Sequence, residues 1–235
     1  MQTDHYPADK MPLDCPPFAT WNSPDEAASQ IQDAVQCLSK GLPPAWATLY
    51  ASELALEQVL PLLMDAGARR DWPLMVLKTP EGASHGGFQW IPVTSDDYQP
   101  IHDGGRCLGM RWTDAAGSNR VSLCGLLPAE KTDPVAASVE TMQIASKLLE
   151  ANGLAWKNVY RTWYYNRDIL SWYDGFNVAR RDFYRTAGLN LERPPASTRI
   201  GIENGSDAPL NLALLASDPL TGKGPVRSPE QNAAN

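Results

Sequence analysis

The sequence predicts an α+β fold made of two similar halves, and two observations carry that expectation. Apolar periodicities of 3.6 and 2 alternate along the chain, bounded by Gly, Pro and Asn turn signals. The order α, β, α, β, β occurs twice, with matching segment lengths, as a duplicated supersecondary unit would.

In the upstream copy, a helix over residues 25–40 precedes a strand at 46–51, a helix at 53–67 and strands at 73–78 and 87–93. In the downstream copy, Ala136, Val139, Met142, Ala145 and Leu148 recur at helical spacing after Asp133, and Asn152-Gly153 supplies a C-cap. NVYRTWYYN, residues 158–166, is rich in β-branched and aromatic residues, and alternation puts Arg161, Trp163 and Tyr165 on one face. The next helix runs over 168–186, with Ile169, Tyr173, Phe176 and Phe183 on its buried stripe and Gly188 as its stop. ASTRIGI and LNLALLAS then read as strands separated by Asn204-Gly205. Between the copies, RCLGMRWTD and RVSLCGLL read as a hairpin. The expected organisation is an irregular arm over 1–24, a degenerate half over 25–100, a better-preserved half over 101–218 and a flexible tail over 219–235.

Composition narrows the function. A net charge of −7 opposes a phosphate backbone, so no nucleic acid is expected. The basic cluster Arg180, Arg181 and Arg185 reads as a solvated helix face or a set of interface ion pairs. Four cysteines without CxxC spacing and three isolated histidines give no zinc pattern, so neither metal nor cofactor is implied. The N-terminal segment lacks an apolar h-region, and no run of about 20 apolar residues exists to span a bilayer. A cytoplasmic protein with free thiols and no membrane association is the default.

The stretch from CGLLPAEKTDP through VYRTWYYN and ILSWYDGFN to PPASTRIG resembles the RidA/YjgF family, also called the endoribonuclease L-PSP family. RTWYYN, ILSWYDGFN and PPAST are most similar to two-half members related to chorismatases. The resemblance implies a chorismate-mutase-like mixed sheet with helices on one face, assembled as a homo-oligomer, a trimer being favoured. It also implies a small carboxylate-bearing ligand and imine or enamine deaminase-type hydrolysis. A non-catalytic binding or interaction protein is the alternative reading, and a chorismatase-like hydrolase is a third. Such relatives continue into a Tyr-Gly-Ser-containing end, whereas this chain stops at SPEQNAAN, so a shortened C-terminus is expected.

Carried over residue by residue, the family pattern is altered here. The carboxylate-holding arginine that follows the proline-alanine pair is replaced by Ser197, but Arg199, two residues on, shares its strand face and can serve as a displaced anion clamp. A structural arginine is the competing reading. Asn177 matches the family's asparagine in its F-N helix, with a packing role open beside ligand support. Cys124 and Gly125 stand where the family has a serine-glycine turn, Cys124 serving as a small hydrophobe or a ligand contact. Phe88 replaces a tyrosine. Asn211 and Ala213 occupy the region of the last-strand acid, which leaves Glu203 as an approaching carboxylate. Trp163, Tyr165, Trp172 and Tyr173 either fill the core or line a flat pocket.

Overall fold

A computed structural model describes residues 18–39, 41–80 and 82–218, and divides at Gly117/Ser118 into two compact units. The tail expected over 219–235 and most of the expected arm lie outside the described residues.

The first unit contains β1 (Phe18–Trp21), α1 (Pro24–Leu38), β2 (Pro44–Ala51), α2 (Glu53–Arg70), β3 (Leu74–Lys78) and β4 (Gly86–Pro92), followed by the antiparallel pair β5 (Tyr98–Asp103) and β6 (Arg106–Thr113). β2 is central: β3 lies parallel to it across the α2 crossover, β4 antiparallel on its other side, and β1 antiparallel to β4. Two neighbours explain why β2 is almost continuously apolar, PAWATLYA. Ala47, Leu49 and Ala51 share one core with Ile31 of α1, Val59 and Leu63 of α2, and Phe88 and Trp90 of β4, so both helices cover a single face. The arm expectation fails at its inner end, because residues 18–21 form β1 and Pro24 opens α1. A four-residue strand is too short to show alternation inside a Pro- and Asp-rich segment. The free-thiol expectation fails at Cys37, which is disulfide-bonded, and holds for Cys107 and Cys124.

The second unit contains β7 (Asn119–Leu126), α3 (Pro134–Ala151), a 3₁₀ turn at Trp156–Asn158, β8 (Val159–Asn166), α4 (Ile169–Thr186), β9 (Ala196–Gly201), the two-residue β10 (Glu203–Asn204) and β11 (Leu210–Asp218). β8 is flanked by parallel β9 and antiparallel β11, and β7 pairs antiparallel with β11. The two units therefore repeat one wiring. The strand order β1-β4-β2-β3 corresponds to β7-β11-β8-β9, with the same strand directions and the same helices between them. The whole is an α+β protein with mixed sheets, as the sequence predicts.

α3 starts where the sequence places it. The Asp133 carboxylate accepts from the amides of Val135 at 2.9 Å and Ala136 at 3.1 Å, satisfying two donors of the first turn. Asp133→Ala is expected to lower stability by about 1 kcal/mol, read as a shift in the urea midpoint at unchanged slope. At the other end Gly153 takes φ +74, and the Leu154 amide returns to the Leu149 carbonyl.

Candidate anion-binding site

β8 and β9 run in register, with Thr162 beside Ser197, Tyr164 beside Arg199 and Asn166 beside Gly201. Pleating sends these pairs to the face covered by α4 and sends Arg161, Trp163 and Tyr165 to the other. The contacts agree. The Tyr164 ring meets Phe176 of α4 edge-on at 5.0 Å and its hydroxyl lies 2.9 Å from that of Tyr184, whereas Arg161 stacks on Trp163 at 4.8 Å and donates to Thr198 at 2.5 Å.

Along α4, Tyr173, Phe176, Asn177, Arg180 and Tyr184 follow the i, i+3, i+4, i+7 spacing of one helical face, which looks down on that polar strip. Arg199 donates to Asn177 Oδ1 at 2.6 Å, and its guanidinium lies over the Tyr173 ring, 5.0 Å from the centroid. Arg180 donates to Ser197 Oγ at 3.2 Å and approaches the same Asn177 oxygen at 3.5 Å. Its guanidinium also lies beside the rings of Phe176 and Tyr184, at 5.6 and 5.9 Å. Arg180 is only 5% exposed, so one of the three arginines read as a solvated cluster is a core residue; Arg181 is exposed, and Arg185 pairs with Asp182 at 2.7 Å at the surface. The signal was in the spacing, since Arg180 stands four residues after Phe176 on the stripe already assigned to the core.

Two guanidinium groups thus converge on one neutral acceptor. Burial, and then the neighbouring Arg180 charge, lower the pKa of Arg199 from the ordinary arginine value. Burial raises Tyr164 well above the ordinary tyrosine range and also raises Tyr184, so both phenols remain protonated. The positions of β11 that alternate onto the same face are Leu210, Leu212, Leu214 and Ala216, and its one acid, Asp218, sits at the strand end beside Asn158. Glu203 is exposed on β10. The cluster presents two guanidinium groups, whose N–H donors suit an anion, and β11 offers it no carboxylate to activate water.

Beyond the cluster, the first two turns of α4, residues 169–175, line a groove of about 390 Å³ that includes Tyr173, the ring beneath Arg199. Helical geometry is broken at Trp172, with φ −139° and ψ 17°, and its indole N–H donates to the Arg167 carbonyl at 2.8 Å. Trp172 itself is buried against Phe176.

The sequence-predicted residues do not form one site. Arg199, Ser197 and Asn177 come together. Trp163 and Tyr165 lie on the opposite face of the sheet, for the reason pleating gives. Cys124 and Gly125 are not a turn: the β7–β11 register moves from Leu123↔Leu214 to Leu126↔Leu212, so these two residues oppose the single Ala213 in a β-bulge. Gly125, at φ +66, has the left-handed conformation such a bulge requires, and Cys124 is fully buried. Phe88, 1% exposed, packs on Trp90 at 5.4 Å in the core of the first unit. Among the described residues no helix is long and apolar enough to cross a membrane, and no three His, Cys, Asp or Glu side chains gather as a metal site.

Comparison with known proteins places solved YjgF-family structures beside about half of the chain. The YjgF gene product of E. coli matches with 17% identity and a TM-score of 0.42, over 51% of this chain and 92% of its own. A YjgF-family protein from Neisseria meningitidis matches with 14% identity and a TM-score of 0.42, over 51% and 93%. A member of the YjgF/YER057c/UK114 family from Mycobacterium tuberculosis matches with 16% identity and a TM-score of 0.41, over 51% and 98%. No family model and no curated protein matches the sequence.

Proposed function

We propose that this protein binds a small carboxylate-bearing metabolite in its second unit, in the manner of a RidA-like protein, with Arg199 as the anion clamp. The observation that supports this reading is the convergence of Arg199 and Arg180 on the Asn177 side-chain oxygen, with Tyr173 stacked on Arg199. A guanidinium offers paired N–H donors matched to a carboxylate, and partial burial strengthens that bond relative to water. Asn177 orients the clamp, and Ser197 holds the second guanidinium in place. Binding without RidA-type turnover is the form of the reading that the leucine and alanine face of β11 favours. A trimeric assembly belongs to the same reading, and sedimentation equilibrium checks it.

Calorimetric titration with 2-oxobutanoate, benzoate and chorismate tests the reading. Saturable binding of at least one is expected, weakened about 30-fold or more in Arg199→Gln, the cost of removing one partner of a desolvated charged hydrogen bond being roughly 2 kcal/mol or more. If none of the three binds, or if Arg199→Gln binds as well as the parent, the anion site is not there. Hydrolysis of 2-iminobutanoate by the parent chain would replace binding alone with deaminase chemistry.

A further inference from the structure

Arg180 is unexplained by a ligand with a single carboxylate. The residue is only 5% exposed, and the groups its guanidinium touches are a serine hydroxyl, an asparagine oxygen and the rings of Phe176 and Tyr184, all neutral. A buried charge is costly unless an opposite charge or a full set of hydrogen bonds compensates it. Two neutral acceptors occupy only part of the five N–H donors that a guanidinium carries. A second cation, Arg199, stands beside it and bonds the same acceptor, so repulsion adds to the cost of burial.

The first unit shows that the fold does not need this arrangement. There the helix-facing rows of the sheet read Ala47, Leu74 and Trp90, then Leu49, Val76 and Phe88. In the second unit the corresponding helix-facing rows read Thr162, Ser197 and Leu214, then Tyr164, Arg199 and Leu212. An apolar layer satisfies the same wiring, so the buried guanidinium has a reason other than holding the strands together.

We propose that the site takes a doubly charged ligand, a short acyclic dicarboxylate, with one carboxylate on Arg199 and the other on Arg180. Because both arginines reach one Asn177 oxygen, at 2.6 and 3.5 Å, their bonding nitrogens lie within about 6 Å of each other. A chain of about four or five carbons sets its two carboxylates at that separation. Arg180 is thereby the specificity-determining residue: it divides dicarboxylates from monocarboxylates of equal length. The assignment rests on the anion-site reading above and narrows it to one ligand class.

The test compares glutarate with pentanoate by calorimetric titration on the full chain. Glutarate is expected to bind at least tenfold more tightly than pentanoate. In Arg180→Gln that advantage falls to less than threefold, because glutarate loses the partner of its second carboxylate; in Arg199→Gln both ligands lose affinity. Equal affinity of the parent for the two acids overturns the dicarboxylate assignment and leaves the carboxylate site standing, whereas failure of both acids to bind removes both readings. Should Arg180→Gln fail to fold by circular dichroism, the ratio measured on the parent decides alone. Glutarate binding that Arg180→Gln leaves intact also overturns the assignment.

Discussion

Phe176→Ala is expected to lower the stability of the second unit by about 3 to 5 kcal/mol, seen as a fall in the urea midpoint. Phe176 is fully buried and stands at the centre of an aromatic chain, edge-on to Tyr164 at 5.0 Å and to Trp172 at 5.7 Å, with the Arg180 guanidinium beside its ring. The cost of such a truncation depends on how far the neighbours can collapse into the space. Here they are held: the Tyr164 hydroxyl lies 2.9 Å from that of Tyr184, and the Trp172 indole is bonded to the Arg167 carbonyl. The cavity therefore stays open, and the loss belongs at the upper part of the range. The same change removes a face that supports Arg180, so carboxylate affinity is expected to fall with it. A loss below about 1 kcal/mol would mean that the helix is not seated on this ring.

Gly86→Ala is the second large effect, expected at about 3 kcal/mol in the first unit, near the top of the usual cost of overpacking. A methyl group there would stand 2.5 Å from the Tyr50 carbonyl oxygen and 2.5 Å from the Trp21 indole. The carbonyl is part of a strand paired on both sides, and Trp21 is 2% exposed, so neither can withdraw cheaply. Gly87→Ala is the control. Its nearest neighbour would be the Ala19 carbonyl at 3.2 Å, which a shift of a few tenths of an ångström relieves. Thermal melts of the two variants should separate clearly; equal melting points would show that the β1–β4 contact is looser than described.

Long amphipathic elements with caps were legible in the sequence, because periodicity and chain punctuation are local signals. α3, β8, α4 and β9 lie within one or two residues of their predicted limits, and the α, β, α, β, β order anticipated the repeated wiring. β1 and β5 were not legible: β1 has only four residues and pairs with β4 far along the chain, and β5, YQPIHD, carries a proline and a mostly exposed row of residues without clean alternation, although its partner β6 follows directly. The common face of Ser197 and Arg199 followed from strand alternation and is present. Alternation also sends Trp163 and Tyr165 off that face, which their residue type alone conceals. Arg180 was hidden by its neighbour, since two adjacent arginines look like one charged surface until helix phase separates a buried position from an exposed one. The bulge at Gly125 depends on pairing with β11, and nothing in CGLL distinguishes it from a turn.

The repeated wiring has a consequence for stoichiometry. Among the described residues one repeat has hydrocarbon beneath its helices where the other has guanidinium, amide and hydroxyl groups, so the proposed anion site has a counterpart in position but not in chemistry. On the proposed reading a titration should therefore saturate at a single equivalent per chain, with the apolar repeat as the internal comparison.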